Sequence, residues 1–396
     1  MKLAVIGQGY VGLPLAVAAA GAGHVVVGVD TNSPRVRMLN SGISPVEDIS
    51  DADIRGLIDA GKYSASVDFE DCKGADVITV CVPTPLTTDK KPDLSALISA
   101  CESVGQNLSA GALVIIESTV EPGTTRDVVL PILVKESGLG ADQFDLAFSP
   151  ERIDPANKKF TIANTPKLVA GLTEAACDRA VEFYSGFVSD VTRCSTLEVA
   201  ETAKLLENSF RLINISFINE IADMCEVMGV DVNEVIRAAA TKPYGFMPFF
   251  PSAGVGGHCI PIDPLYLSHK AKSVGAPSSF IDLAQKINDE RPAHFVAQAS
   301  KLLGGLTGKK VLVVGVAYKS NVSDTRESPA EPLIDGLKAA GAVVSWHDPL
   351  VPRWRSEVSV DLSADFDLAL LVNVHDGMNL NALGSVPVIN TKGAVL

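Results

Sequence analysis

An apolar run at residues 2–6 (KLAVI) feeds directly into Gly7-Gln8-Gly9-Tyr10-Val11-Gly12, and an Ala-rich stretch follows over 13–22. That order of strand, glycine turn and helix former leaves little freedom of fold. Gly7 permits the tight turn, Gly9 lets the backbone approach a pyrophosphate, and Gly12 allows close packing of helix on strand. The amides of the helix N-terminus, with Tyr10 and Val11 in the turn before it, then face the phosphates. A second buried strand at 24–30 (HVVVGVD) ends in Asp30, eighteen residues beyond Gly12. An acid there accepts hydrogen bonds from the adenine-ribose hydroxyls and repels a 2′-phosphate, so NAD is expected, with Arg35 keeping NADP as an alternative.

Further apolar strands at 77–82 and 113–118 alternate with helical patterns, the signature of a parallel, doubly wound sheet. Val82, Pro83 and Thr84 close one strand and Ser118 and Thr119 the other, at the carboxyl ends where such sheets bind ligands. From residue 196 the pattern changes. Leu197, Ala200, Ala203, Leu206, Phe210, Ile213, Phe217 and Ile221 recur at three- and four-residue spacing without Gly or Pro, which predicts a long helix buried on more than one side. Helical segments continue to 303, interrupted by a Pro/Gly/Phe-rich loop at 243–264. GKKVLVVG at 308–315 opens a second α/β unit, with strands near 343–346 and 368–372. The expected architecture is α/β: two Rossmann-like doubly wound domains, 1–195 and 304–396, joined by a central helical domain, 196–303, whose long helix is a plausible dimer face.

The interrupting loop carries the chemistry. Cys259 stands behind Gly256, Gly257 and His258, with Asp263 four residues later; upstream, Lys204 and Asn208 are four apart and share a helix face. A thiol, an amine, an amide and a carboxylate beside a nicotinamide suit oxidation of an alcohol past the aldehyde, the aldehyde being captured by sulfur. The Lys204 ammonium and a helix N-terminus after Pro261 are expected to lower the Cys259 pKa from the free-thiol value of about 8.5. His258 is a tempting base for the thiol, but adjacent side chains generally point apart, which assigns it to the sugar pocket or to shaping the loop.

The formal charge of −14 argues against nucleic-acid and anionic-membrane partners. The seven cysteines are scattered, form no CxxC and lie near no histidines at zinc-ligand spacing, so neither disulfides nor a metal site is expected. With a strand starting at the N-terminus and no bilayer-length apolar run, a reduced cytoplasmic enzyme is the default expectation.

GQGYVGLPLA (7–16), VPTPL (82–86), ESTVEPGTT (117–125), SPERI (149–153), ETAKLLENSFRLINISFINEI (201–221), GVGGHCIPIDP (254–264) and GVAYKSNVSDTRESPA (315–330) together resemble the UDP-glucose/GDP-mannose dehydrogenase family over nearly the whole chain. Residues 241–267 look most like the branch acting on UDP-N-acetylhexosamines, especially UDP-N-acetylglucosamine. Ser252-Ala253 and Leu265 depart from that branch's usual pattern. The resemblance implies a four-electron oxidation of a sugar CH2OH to a carboxylate with NAD, through a Cys259 thiohemiacetal and thioester. It gives Asp263 a water that serves as base, Lys204 and Asn208 the oxyanions, and Glu151 the hydrolytic water, with Thr119 nearby. Substrate contacts are then expected from Glu151, Arg152, Lys204, Asn208, Arg211, Phe249, Phe250, Gly256, His258 and Lys319. Arg326 is placed at the phosphates, on the cofactor side, and Lys242 reaches in from a neighbouring subunit of a homodimer. UDP-N-acetylmannosamine and UDP-glucose remain alternative substrates. Outside the family, a two-electron hydroxyacid dehydrogenase would leave Cys259 without purpose, a thiol hydrolase would not need Asp30, and a mere NAD-binding module would not need the polar constellation.

Overall fold

The computed structural model describes residues 1–154, 157 and 159–393. It divides into two compact units, Met1–Glu207 with His269–Val274, and Asn208–Ser268 with Gly275–Leu396.

The first unit runs β1 (Lys2–Ile6), α1 (Gly12–Gly21), β2 (Val25–Val29), α2 (Ser33–Asn40), α3 (Asp51–Asp59), β3 (Tyr63–Ser66), β4 (Val77–Val80), α4 (Ser95–Gln106), β5 (Leu113–Ile116), α5 (Leu130–Ser137), β6 (Asp145–Phe148), β7 (Lys167–Gly171), α6 (Glu174–Ser185) and β8 (Val191–Arg193), and includes the start of α7 (Leu197–Met228). Its sheet has the order β3-β2-β1-β4-β5-β6-β7-β8. The period of two along a strand splits β1 between two cores. Leu3 and Val5 pack with residues of α1, α2, α3 and α6, whereas Ala4 and Ile6 pack with those of α4, α5 and the first turn of α7. Helices therefore cover both faces, as the apolar strand runs require. β7 departs from the parallel expectation by pairing antiparallel with β6. A parallel return needs a crossover, usually a helix, and the described residues between β6 and β7 form none.

The second unit contains the rest of α7, then α8 (Val232–Ala239), α9 (Asp263–Ser273, whose last turn belongs to the first unit), α10 (Ser279–Leu303), β9 (Lys310–Val314), α11 (Ala330–Ala339), β10 (Val343–His347), a small hairpin of β11 (Arg353–Trp354) and β12 (Glu357–Val358), β13 (Leu368–Leu371) and β14 (Val388–Asn390). Its main sheet, β10-β9-β13-β14, is parallel. The two sheets repeat one device. Gly7 donates to the Val29 carbonyl at 2.7 Å, and Gly315 to that of His347 at 2.8 Å. Each following acid then accepts from the turn: Asp30 from the Gln8 amide, Asp348 from the amides of Val316 and Ala317.

Helix α7 is long, as expected, and within the single chain it leaves one stripe open. Leu206, Phe210, Phe217, Met224 and Val227 are 61%, 45%, 57%, 47% and 90% exposed, whereas Leu205, Asn208, Leu212, Ser216 and Asn219 are buried. Of the recurring apolar residues, Leu206, Phe210 and Phe217 lie on the open stripe while Leu197 and Ala200 are buried, and the covered side carries polar groups among its apolar ones. Ser216, for example, donates to the Ala284 carbonyl of α10.

Candidate active site

In the first unit, Gly7 has a φ of +90°, and a Cβ on Gly12 would stand 1.8 Å from the Gly7 carbonyl oxygen. A Cβ on Gly9 would meet nothing within 4 Å. The turn is thus closed beneath Gly12 and open above Gly9, with Val11 at the N-cap of α1. The Tyr10 hydroxyl donates to Glu47 at 2.8 Å. Asp30 is buried; its Oδ2 accepts from the Gln8 amide and from Arg35 at 2.9 Å, and its Oδ1 from the Asn32 amide. A carboxylate offers about four lone-pair sites, so Oδ1 keeps capacity for a ribose hydroxyl, and the Arg35 charge is engaged by Asp30. These features fit NAD. Gly12→Ala is expected to weaken NAD binding by about tenfold or more, since overpacking costs about 1–3 kcal/mol and displaces the turn itself. Titration of NAD by calorimetry checks this.

The strand ends beside this turn are tied together. Thr84 Oγ1 donates to the Thr119 carbonyl at 2.8 Å, and Ser118 Oγ to the Val82 carbonyl at 2.7 Å. Pro83 lies between the tied residues.

Behind them is a buried ionic cluster that the sequence reading missed. Lys167 Nζ lies 2.6 Å from Glu117 and 3.2 Å from Glu151. The Tyr184 hydroxyl donates to the other oxygen of Glu117. Glu151 Oε1 also accepts from the amides of Arg152 and Ile153. Burial alone would lower Lys167, but the two carboxylates outweigh it and hold the ammonium above its ordinary value. Burial pushes Glu117 up, more than Lys167 pulls it down, with the Glu151 charge adding to the rise. The one signal in the sequence was a lysine opening the apolar strand KLVAG. Arg152 pairs with Glu207 at 2.7 Å. Lys204 is buried on α7, one turn before Asn208.

In the second unit, Asn208 donates to Asp263 Oδ2 at 2.6 Å, and both residues are buried. The Cys259 carbonyl accepts from the amides of Ile262 and Asp263, so the cysteine sits at the N-terminus of α9. Gly257 has a φ of +86° and donates its amide to the Arg326 carbonyl; a Cβ there would lie 2.7 Å from the Tyr318 ring. A Cβ on Gly256 would meet the Glu327 carbonyl oxygen at 2.7 Å. Both glycines are needed to lay the cysteine loop against residues 318–329.

His258 does not point away from its neighbour: Nδ1 is 3.0 Å from Cys259 Sγ. Alternation of side chains holds in a strand, and the left-handed Gly257 places this step outside that geometry. Arg326 grips Asp324 with its guanidinium, and Lys319 is half-buried in the same loop. Arg211 and Phe250 are exposed. Phe249 stacks edge-on against Phe210 at 5.8 Å and joins the small core of α7 and α8. Lys242 is exposed, over the Tyr244 ring at 5.0 Å. Asp223, Glu226 and His294 have atoms of metal-ligating type within 4.8 Å of one another, and Arg291 pairs with Asp223.

Comparison with known proteins accounts for both the dinucleotide turn and the cysteine loop. Residues 1–188, 198–290 and 312–378 match the NAD binding, central and UDP binding domains of the UDP-glucose/GDP-mannose dehydrogenase family. The chain is 38% identical over 357 residues to a UDP-N-acetyl-D-glucosamine 6-dehydrogenase of Pseudomonas aeruginosa, covering 89% of this chain and 83% of the relative. It is 36% identical over 358 residues to a UDP-N-acetyl-D-mannosamine dehydrogenase of Pyrococcus horikoshii, covering 89% and 84%. A solved UDP-D-ManNAc dehydrogenase from Pyrococcus horikoshii superposes with a TM-score of 0.91 at 32% identity, over 100% of this chain and 96% of that one. With a dinucleotide turn in one unit, a cysteine loop in the other and all three domain matches in order, the chain belongs to the UDP-glucose/GDP-mannose dehydrogenase family of NAD-dependent nucleotide-sugar dehydrogenases.

Proposed function

We propose that this enzyme oxidises the C6 hydroxymethyl group of a UDP-N-acetylhexosamine, with UDP-N-acetylglucosamine favoured, to the uronate. The observation that carries the reading is Cys259 just before α9, its carbonyl accepting from the amide of Asp263, which Asn208 bonds. NAD+, when held by the Gly7–Gly12 turn and Asp30, supplies the hydride acceptor. The protein's own residues do the rest. Asp263 holds the water that takes the alcohol proton. Cys259 adds to the aldehyde carbon, forming a thiohemiacetal that is oxidised to a thioester. Lys204 and Asn208 stabilise the oxyanions, a role typically worth about 3–4 kcal/mol per donor. Glu151, held by Lys167 and two backbone amides, orients the water that releases the acid, with Thr119 beside it. Lys319 and Arg326 serve the diphosphate, with Arg211, Arg152, Phe249, Phe250, Gly256 and His258 completing the substrate contacts.

Functional segments at 1–195, 196–303 and 304–396 follow the order of the domain matches. A cytoplasmic setting is in keeping with cysteines scattered along the chain without CxxC spacing, and no helix among the described residues is long and apolar enough to cross a membrane. The sugar is drawn from the 241–267 segment, and the two relatives described above, one acting on each epimer, keep UDP-N-acetylmannosamine as the second reading. NADH formation across a panel of UDP- and GDP-sugars tests the choice. The highest kcat/KM is expected with UDP-N-acetylglucosamine; predominant turnover of UDP-glucose would overturn it.

A homodimer through α7 is part of the same proposal, supported by the exposed apolar stripe through Leu206, Phe217 and Met224. Burying a leucine or phenylalanine contributes about 1.5–3 kcal/mol. Leu206→Glu with Phe217→Glu is therefore expected to give a folded monomer by light scattering at concentrations where the parent chain is dimeric.

A further inference from the structure

We propose that His258 is the proton acceptor for Cys259, so that the reactive sulfur is held as a thiolate paired with the imidazolium of the preceding residue. The geometry that carries this is the 3.0 Å approach of Nδ1 to Sγ, made by a loop that cannot easily relax. Gly257 at a φ of +86° abuts the Tyr318 ring, and its amide is bonded to the Arg326 carbonyl. The Tyr318 amide in turn donates to the Asp324 carbonyl at 2.9 Å, closing the opposing loop. The cysteine and histidine are thus presented as a unit by a strapped segment.

The charges around the pair suit it. Asp324 lies in the opposing loop with a side chain only 9% exposed and carries the Arg326 guanidinium. Burial would raise its carboxyl, but the Arg326 bonds and the charge of His258 keep it below the usual carboxylate range. The carboxylate and the imidazole are therefore within electrostatic reach, and a negative Asp324 favours a positive His258. Asp263 follows at the start of α9, bonded to Asn208; Lys319 and Glu327 complete the charged groups of the facing loop. An α9 N-terminus at Cys259 favours a negative sulfur.

The step is balanced within the pair. The Sγ–H bond breaks, the proton passes to His258 Nδ1, and the sulfur keeps the electron pair. That pair then forms the C–S bond to the aldehyde carbon as the carbonyl electrons move to oxygen. The inference rests on Cys259 being the nucleophile, yet the alkylation that tests it needs neither substrate nor NAD.

The test is the pH dependence of iodoacetamide alkylation of Cys259, followed by mass spectrometry of its peptide in wild type, His258→Asn, His258→Gln and Asp324→Asn. Wild type is expected to inflect below the free-thiol value of about 8.5. Both His258 variants are expected to inflect higher, alkylating about tenfold or more slowly at pH 6.5 while converging with wild type above pH 9; Asp324→Asn is expected to shift in the same direction by less. Circular dichroism and NAD titration establish that the variants are folded. A merely structural histidine predicts the same inflection in all the proteins, or an equal loss at every pH. Either result, or an ordinary inflection in wild type, overturns the pair. Sugar oxidation by wild type, assayed separately, shows whether the assignment of function has failed as well.

Discussion

Cys259→Ser should lower uronate formation by about 10⁴-fold or more, the range found when a covalent nucleophile is removed, while NAD binding is unchanged. Serine keeps the volume and the hydrogen-bonding type of the side chain. Its hydroxyl, however, is far weaker as a nucleophile at neutral pH than a thiol, which is partly ionised. The loss corresponds to about 5–6 kcal/mol of transition-state stabilisation, at 1.36 kcal/mol per decade. The first oxidation, from alcohol to aldehyde, makes no bond to sulfur. NADH formed per sugar in this variant should therefore fall toward one, with aldehyde or its hydrate as product. Mass spectrometry of the products together with absorbance at the NADH band checks both halves of the expectation. An unchanged yield of uronate would remove the covalent route and favour a two-electron dehydrogenase.

The second large effect is expected at Lys167. Its ammonium lies between Glu117 and Glu151 and is 4% exposed, while Glu117 is fully buried. Lys167→Met keeps the stem and removes the charge, leaving two carboxyls against each other in a dry site. Removing one partner of a buried pair costs about 3–5 kcal/mol, and urea denaturation of the variant should show a loss of that size at pH 8. The pH dependence has a definite sign. Glu117 is already pushed up by burial against the pull of Lys167, and without the lysine it rises further. A carboxyl whose folded pKa exceeds its unfolded value of about 4.3 takes up protons on folding. The deficit is therefore greatest above the raised folded pKa and shrinks as pH falls toward the unfolded one. The variant should lie closer to wild type at pH 5 than at pH 8. A deficit that does not change with pH would mean that Lys167 contributes by packing alone. Because Lys167 also holds Glu151, the variant should lose kcat more than KM, measured with the sugar it turns over best.

Much of this was legible because local chemistry and global fold agreed. The Gly7–Gly12 turn needs three glycines for three different steric reasons, and the structure closes space at Gly12 while leaving it open at Gly9. The strand and helix order followed from apolar runs that must be covered on both faces. What was not legible has physical causes. Hydrophobic periodicity in α7 locates a stripe but not which side of it is covered, and Leu206, Phe210 and Phe217 are open. The antiparallel β7 depends on how a loop returns, which no residue pattern encodes. Lys167 stands in an apolar strand like any strand-end lysine, and its partners are fifty and sixteen residues away. Cys259, Asn208 and Asp263 stand out in the sequence by their spacing, and the Asn208–Asp263 bond joins helix α7 to the start of α9. The approach of His258 to Cys259 was missed because a rule suited to regular backbone was applied across a left-handed glycine.

Sulfur-linked, four-electron oxidation at a single site is tested most directly by counting reduced cofactor. Wild-type enzyme given limiting UDP-N-acetylhexosamine and excess NAD+ should form two NADH for each uronate released, with no free aldehyde at any time. One NADH per sugar, with the aldehyde as the end product, would contradict the account.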